Sequence, residues 1–202
     1  MQPYLDLYLI RHGDAGKGII SGGFSDAALT ESGKKEIAII ARSLKGLNLR
    51  ICAILTSPLK RAVQTAKILA KGLGIKSKIS VCGELVPEGR RFELSDRLRH
   101  FPQESSILVV GHEPYLTSMI YEVIFQGNKT TTLTTSTKII RGVRVGVAGG
   151  IILKKAGLAK IRLTSMTPHI TGELRWLVTP RIMKLLDGGS KLKENRKFEK
   201  VL

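Results

Sequence analysis

Two histidines stand directly after apolar runs that lie far apart in the chain, where a buried strand would give way to a loop. Arg11-His12-Gly13 follows the first run, and Gly111-His112-Glu113-Pro114 follows another. Between them, a third apolar run leads into Thr56-Ser57-Pro58-Leu59-Lys60-Arg61. Because the carboxyl ends of strands in an α/β sheet meet at one edge, and because cationic side chains bind phosphoryl oxygens, the pattern predicts an anion pocket there.

The residue types at these strand ends suit chemistry on a phosphoryl group. An isolated Arg-His-Gly triplet could equally cap a sheet, so the combination carries the prediction rather than any one motif. Two imidazoles, from His12 and His112, and two guanidiniums, from Arg11 and Arg61, can converge on one tetrahedral dianion. A neutral His12 could then attack phosphorus as a nucleophile.

The elements that would position these residues alternate between strand and helix. The apolar runs predict buried strands. Apolar residues at helical spacing follow Thr30, a capping residue, and Pro58, which suits a first helical turn, so a helix is predicted after each. Such alternation predicts an α/β fold with a largely parallel sheet covered on both faces. The predicted strands are 4–10, 51–55, 78–82 and 107–110, and the predicted helices are 30–46, 58–72, 92–100 and 114–125.

The composition of the sequence changes after Gly127, where threonine and glycine become frequent. Glycine-broken apolar segments at 142–150 and 151–153 predict an added hairpin or sheet edge, and Ala159–Leu163 predicts one more strand. Glu173–Leu186 reads as a helix, which Pro180 should kink or interrupt.

Length and composition predict a single domain over residues 1–186, with a glycine- and threonine-rich edge region at about 127–172. Residues 187–202 are predicted to form a basic flexible tail. Lysine and arginine outnumber acidic residues 33 to 16, and the segments 37–83 and 123–172 contain no acidic residue. A net charge of +17 favours phosphorylated substrates or polyanionic partners, although a basic solvated surface explains charge alone.

No metal or cofactor is expected from the sequence. Cys52 and Cys82 lie in apolar runs and are predicted to be unpaired buried thiols, which fits a reducing cytoplasm. His100 and His169 lack spaced partners, so surface or structural roles are predicted for them. The first ten residues carry no basic leader and no apolar run reaches membrane-spanning length, so we expect a soluble, cytoplasmic protein without membrane contact.

Four stretches, spread over residues 5 to about 120, resemble the histidine phosphatase superfamily, and within it the phosphohistidine phosphatase SixA group. They are Leu9–Ala15, Leu29–Gly33, Thr56–Ala66 and Val109–Pro114. The order and spacing of these motifs make the resemblance specific.

The resemblance implies a phosphoglycerate mutase-like fold, a three-layer α/β/α sandwich with a mostly parallel central sheet. It also implies a two-step transfer in which His12 becomes phosphorylated and water then releases the phosphate. Arg11, Arg61 and His112 would hold the phosphoryl oxygens, and their preset positive charge would be the main catalytic device.

The resemblance leaves the proton donor open. Family members with alcohol leaving groups commonly place an acid after the third strand, where Glu84 stands here, and Asp14 is the second candidate. Ser57 could bind the phosphate through its hydroxyl, although capping the helix opened by Pro58 is the preferred assignment. Lys17 lies where it could approach substrate.

Phosphohistidine phosphatase is the leading functional prediction, with a phosphorylated protein as substrate. Only about twenty residues separate Arg61 from Glu84, too few for the extra segments that wrap small substrates in larger relatives. A phosphomonoesterase acting on a small phosphorylated metabolite is the runner-up. A basic polyanion-binding protein is the alternative from another class, against which stand an aromatic content of 5% and no nucleic-acid motif. The sequence indicates no oligomeric state.

Overall fold

The computed structural model describes residues 4–18, 20–21, 24–47, 49–75, 79–125, 137–140, 143–146 and 151–187. Strands and helices alternate through its first part, as the sequence predicts. In chain order the elements are β1 (Leu5–Arg11), β2 (Ile20–Ser21), β3 (Phe24–Ser25), α1 (Glu31–Gly46), β4 (Ile51–Thr56), α2 (Lys60–Leu73), β5 (Ile79–Val81), α3 (Arg91–Arg99), β6 (Ser106–Gly111), α4 (Tyr115–Phe125), β7 (Thr137–Ile140), β8 (Val143–Gly146), β9 (Leu158–Ser165), β10 (Thr171–Val178) and α5 (180–187).

The central sheet of the described part has six strands in the order β10-β9-β1-β6-β4-β5. Strands β1, β6, β4 and β5 pair in parallel, while β9 pairs antiparallel with both β1 and β10. Only β9 therefore runs against the other five. The prediction of a mostly parallel sheet is confirmed.

Both faces of this sheet are buried, because successive side chains of a strand point to opposite faces. Leu7 and Leu9 of β1 belong to a core completed by α3 and α4. Tyr8 and Ile10 belong to a second core, completed by α1, α2 and α5. Helices therefore cover the sheet on both sides, and the predicted three-layer α/β/α sandwich is confirmed.

The ends of the first two helices follow local chemistry. Thr30 caps α1, accepting a hydrogen bond from the Gly33 amide at 3.0 Å, and α1 ends at Gly46 as predicted. Helix α2 begins at Lys60, two residues later than predicted, because Pro58 lies in the preceding turn. It closes on Gly74, whose φ of 68° is the left-handed conformation that glycine adopts without strain.

The helix predicted over Glu173–Leu186 is wrong, because β10 occupies its first half. A β-bulge between Leu174 and Trp176 explains the error. The bulge puts Leu174 and Leu177 on one face of the sheet and Trp176 on the other. Apolar residues three apart on one face imitate helical spacing, although the backbone is extended. The helix begins only at Pro180, which suits a first helical turn.

The structure describes only part of the predicted edge region at about 127–172. Strands β7 and β8 pair antiparallel as a separate two-stranded sheet. The strand predicted at Ile151–Leu153 is wrong, because those residues have no regular structure. Residues 126–136, 141–142 and 147–150, and tail residues 188–202, lie outside the described residues. Asp187, predicted to begin the tail, ends the described part of α5 and binds Arg42 at 2.9 Å.

The cysteine prediction holds for one residue of two. Cys82 is a buried free thiol, whereas Cys52 is exposed. A bulge between Ile51 and Ala53 leaves Cys52 without a partner position on β6, so its side chain faces outward. Among the described helices, none is long and apolar enough to cross a membrane.

A buried ion-pair cluster joins β1 to β9. Asp6 is 6% exposed and accepts hydrogen bonds from Arg162 at 2.8 and 3.0 Å, and its carboxylate lies 2.8 Å from Lys160 Nζ. Burial raises the pKa of Asp6, but the hydrogen bonds from Arg162 and Lys160 outweigh burial and hold that pKa below its ordinary value.

We expect Asp6→Asn to lower the free energy of unfolding at pH 7 by about 2 kcal/mol, because it leaves two cations without their carboxylate. A depressed carboxyl pKa stabilises the fold above the unfolded pKa of about 3.9 and loses that effect as pH falls through the folded pKa. Urea unfolding at pH 7 and pH 3 should therefore show a large difference from wild type that shrinks in acid. Glu173→Gln, which removes an exposed partner of Arg175, is the control. An equal loss for Asp6→Asn at both pH values would contradict this account.

Candidate active site

Three neighbouring strands, β1, β6 and β4, deliver their last residues to one edge of the sheet. The residue after each strand extends the ladder: His12 N–H donates to the Gly111 carbonyl at 3.1 Å, and Ser57 N–H donates to the Val110 carbonyl at 3.0 Å. His112 follows β6 between them. The sheet register thus brings together three side chains that are far apart in sequence.

His12 is 7% exposed and both of its ring nitrogens are engaged. Nδ1 lies 2.7 Å from the Gly13 carbonyl oxygen, so Nδ1 carries the hydrogen and donates it. Arg61 Nε–H donates to His12 Nε2 at 3.1 Å. This pair of bonds requires a neutral ring whose lone pair lies on Nε2, turned toward a guanidinium.

The surroundings of His12 keep its ring neutral. Burial is the largest cause and lowers the pKa of His12, the bond to Gly13 raises it, and the charges of Arg61, Arg11 and Lys155 lower it; together these effects bring the pKa to about 4. At neutral pH the ring is therefore unprotonated. An unprotonated imidazole among cations is a nucleophile placed where negative charge is favoured.

Thr65 fixes the position of Arg61 relative to His12. Its hydroxyl donates to the Arg61 carbonyl oxygen at 2.7 Å and accepts from the Gly13 N–H at 3.2 Å. Thr65 is fully buried, and so it ties α2 to the loop after β1. The sequence analysis missed this role, although the four-residue spacing from Arg61 places both residues on one helix face.

The loop that contains β2 and β3 also contacts the start of α2. Arg61 Nη1 donates to the carbonyl oxygen of Ser25. The Asp26 carboxylate accepts from the Lys60 N–H at 2.8 Å, satisfying a free donor of the first helical turn. Both contacts join distant segments, and no local sequence pattern predicts them.

His112 is 2% exposed and lies beside His12, with ring centroids 5.0 Å apart. Its Nε2 is 2.8 Å from the hydroxyl oxygen of Ser57. Burial, and then the charges of His12, Arg61 and Arg11, lower the pKa of His112 to about 3. Ser57 does not occupy the capping position of α2, which is Leu59, but its hydroxyl accepts a hydrogen bond from the Leu59 N–H at 3.3 Å in addition to its contact with the imidazole.

Arg11 is held by the segment 151–157, which wraps the end of β1. Its Nη1 donates to the Leu153 carbonyl oxygen at 3.2 Å, and the Ala156 N–H approaches the carbonyl oxygens of Arg11 and His12 at 3.1 Å each. Among the described residues, neither Arg11 Nε nor His112 Nδ1 has a hydrogen-bond partner, although both atoms are buried. Buried polar atoms are rarely left unpaired, so these two nitrogens point to a ligand.

The two candidate proton donors lie in different surroundings. Asp14 is half exposed, accepts hydrogen bonds from Lys155 at 2.8 Å and Thr30 at 3.1 Å, and has its pKa lowered by both. Glu84 is buried in a short 3-10 helix after β5, and its carboxylate accepts from Arg97 Nε at 2.6 Å. Neither carboxylate is among the charged groups that shift the pKa of the two histidines.

The other sequence candidates lie outside this cluster. Lys17 is exposed on the loop after β1. His100 directly follows α3, His169 lies between β9 and β10, and both are exposed. Within the described residues, no group of three or more His, Cys, Asp or Glu side chains could hold a metal ion. The structure thus joins His12, His112, Arg61 and Ser57 by direct contact, with Arg11 acting on both imidazoles through its charge.

Comparison with known proteins gives three kinds of match. Residues 7–85 match the family model of the histidine phosphatase superfamily (branch 1). The chain is 33% identical over 183 residues to an uncharacterised protein of Picosynechococcus sp., which covers 88% of this chain and 98% of that protein.

Solved structures share the fold over most of the chain. The structure of the protein histidine phosphatase SixA complexed with tungstate has a TM-score of 0.66 at 24% identity, covering 89% of this chain and 99% of that one. Phosphoserine phosphatase from Entamoeba histolytica, in complex with 3-phosphoglyceric acid, has a TM-score of 0.54 at 17% identity, covering 87% and 97%. These neighbours share the layered fold of this chain.

Proposed function

This chain belongs to the histidine phosphatase superfamily, and on that premise we propose that it is a phosphohistidine phosphatase acting on a phosphorylated protein. The observation that supports the proposal best is the state of His12. Its Nδ1–H is fixed by the Gly13 carbonyl, its Nε2 carries a lone pair, and cations surround it. That is the arrangement a phosphoryl-accepting nucleophile needs.

The first step transfers the phosphoryl group to the enzyme. The Nε2 lone pair of His12 attacks phosphorus, a P–N bond forms, and the bond from phosphorus to the substrate imidazole breaks. Arg61 must first exchange its bond to Nε2 for one to a phosphoryl oxygen, since the same lone pair cannot serve both. The departing imidazole takes up a proton from water.

The second step regenerates the enzyme. Water attacks the phosphorylated His12, the P–N bond breaks, and inorganic phosphate leaves while the ring nitrogen recovers its lone pair. Arg11 and Arg61 stabilise the charge on the phosphoryl oxygens in both steps. When the Ser57 hydroxyl donates to His112 Nε2, His112 Nδ1 carries a hydrogen. Nδ1 and Arg11 Nε, which have no partner among the described residues, can then donate to the same oxygens.

The carboxylates near the site favour a phosphoramidate substrate over a phosphoester. Lys155 and Thr30 keep Asp14 deprotonated at neutral pH, and Glu84 is bound to Arg97. An alcohol leaving group needs a general acid, whereas a departing imidazole needs less help. A substrate whose leaving group is an imidazole therefore suits this cluster.

The short stretch between Arg61 and Glu84 is compatible with a protein substrate. Between Arg61 and Glu84 the described chain forms only α2, β5 and short turns, with residues 76–78 outside the described part. No capping subdomain is formed by that described stretch. This stretch therefore adds no segment that would exclude a histidine projecting from a folded protein.

A small-molecule phosphomonoesterase is the second candidate, and one observation favours it. Glu84 is buried just after the carboxyl end of β5, which pairs in parallel with β4. It therefore lies at the same edge of the sheet as the two histidines. A carboxyl group in that place could protonate an alcohol leaving group if its bond to Arg97 were released.

The two candidates differ in substrate preference and in the effect of Glu84→Gln. We expect kcat/KM for a phosphohistidine peptide to exceed that for phosphoserine and sugar phosphates, and Glu84→Gln to change it by less than about threefold. Loss of a true general acid would lower the rate by at least about 10²-fold. Glu88→Gln, at an exposed position four residues on, is the matched control. Exclusive turnover of sugar phosphates, together with a large loss in Glu84→Gln, would favour the phosphomonoesterase.

A further inference from the structure

We propose that a groove beside the active site binds an acidic segment of the protein substrate; this rests on the function proposed above. The groove has a volume of about 580 Å³ and lies between the segment 151–157 and the start of α5. We call it the basic groove after its five cationic side chains. They are Arg11, Lys154, Lys155, Arg181 and Lys184.

Most of the positive charge of the basic groove is not neutralised within the described chain. Lys184 pairs with Glu36 at 2.7 Å, and Lys155 pairs with Asp14 at 2.8 Å. Lys154 and Arg181 have no ion pair with any described residue. Surplus charge concentrated in a concave surface attracts anionic partners.

The basic groove adjoins the catalytic cluster at Arg11, which lies directly before His12 in the chain. Arg11 lines the groove, yet it also acts electrostatically on both imidazoles. The Leu153 carbonyl, between the lining residues Ile152 and Lys154, accepts a hydrogen bond from Arg11 Nη1 at 3.2 Å. A polypeptide whose phosphorylated histidine reaches His12 can therefore lay its neighbouring residues along the lysines.

The lining of the basic groove fits a polypeptide better than a nucleic acid. Ile152 is 73% exposed beside it, and Pro180 adds a second apolar surface. Among the described lining residues there is no aromatic side chain on which a base could stack. Cations interleaved with exposed apolar groups match a segment that mixes glutamate or aspartate with aliphatic residues.

The first test measures binding without catalysis. A fluorescein-labelled glutamate-rich peptide, without phosphate, is titrated with protein and followed by anisotropy. We expect Lys154→Gln/Arg181→Gln to weaken binding about fivefold at about 50 mM salt, and the difference to vanish at about 500 mM salt. The matched control, Lys67→Gln/Lys71→Gln, removes two exposed lysines from α2 and should stay within about twofold of wild type.

The second test measures selectivity during turnover. Two phosphohistidine peptides differ only in their flanks, which carry glutamates in one and glutamines in the other. We expect wild type to favour the acidic peptide about fivefold in kcat/KM, through KM, and the groove variant to reduce that ratio to about one. The control pair Lys67→Gln/Lys71→Gln should keep the wild-type ratio.

The outcomes separate this proposal from the proposed function. If neither peptide is hydrolysed, the phosphatase proposal fails, and the anisotropy titration still decides whether the groove binds acidic peptide. Equal weakening in the groove and control variants would overturn the groove. A single-stranded oligonucleotide of equal charge that binds more tightly than the peptide, and loses that affinity in the groove variant, would overturn the choice of polypeptide.

Discussion

His12→Ala is expected to lower kcat/KM by at least about 10⁴-fold and to abolish the phosphorylated enzyme intermediate. The physical reason is that the lone pair on His12 Nε2 forms the only bond through which phosphorus can attach to the protein in the proposed reaction. Rapid acid-free quenching of ³²P-labelled substrate with wild type should trap an acid-labile, base-stable phosphate on the protein.

His112 should not replace the missing nucleophile. Its ring lies 5.0 Å from that of His12, but its Nε2 contacts the Ser57 hydroxyl, and no arginine of the described residues donates to it. His100→Ala is the matched control, because it removes an exposed imidazole at the residue that follows α3. A labelled His12→Ala protein, or a fully active wild type that never becomes labelled, would rule out the proposed covalent step.

The positions of the two histidines could be predicted from the sequence because two simple features determine them. Apolar runs mark β1 and β6, and the motif residues begin where those runs end. The carboxyl ends of parallel strands meet at one edge of the sheet, so His12 and His112 had to lie at the same edge. Their mutual distance and the tautomer of His12 depend on register and hydrogen bonding, which no single segment encodes.

The residues that hold the cluster together could not be predicted in the same way. Thr65 acts by bridging α2 and the loop after β1, and Lys155 acts by pairing with Asp14 across 141 residues. Asp26 supports α2 from a loop that precedes it by more than thirty residues. Each role arises from tertiary packing, and each residue type is common on surfaces, so its local pattern carries no signal.

Strand β10 shows a different reason for failure. Its apolar residues have helical spacing because a bulge shifts the face on which they lie, as Leu174 and Leu177 demonstrate. Periodicity measures which residues share a face, and a bulged strand satisfies that measure as well as a helix does. The exposed Cys52 reflects the same effect in β4, where a bulge changes the expected alternation.

The low pKa of His12 reconciles two demands on the site. A cluster of cations is needed to bind a dianion, and a protonated nucleophile could not attack. Burial, the largest cause, and the charges of Arg61 and Arg11 together bring the pKa of His12 to about 4, so the charges that bind phosphate also help to keep the lone pair free. The same residues therefore serve binding and nucleophile activation at once.

Arg61→Ala should separate these two effects. We expect kcat/KM at pH 7 to fall by about 10³-fold, because a charged donor to the phosphoryl oxygens is lost. Activity requires neutral His12, so it is lost as pH falls through the pKa of that residue. In wild type this acid limb lies near the His12 pKa of about 4. Removing Arg61 deletes a cation and admits water, so the acid limb should move upward toward the ordinary value of about 6.5.

The matched variant is Arg61→Lys, which keeps the charge while losing the planar donor that contacts His12 Nε2. Its rate should fall, while its acid limb should stay near that of wild type, since the positive charge still disfavours a protonated ring. Dividing the wild-type rate by the variant rate at each pH cancels the titration of the substrate phosphoryl group. Acid limbs that superimpose in wild type and Arg61→Ala would show that Arg61 binds phosphate without tuning His12, because a changed pKa must move the limb.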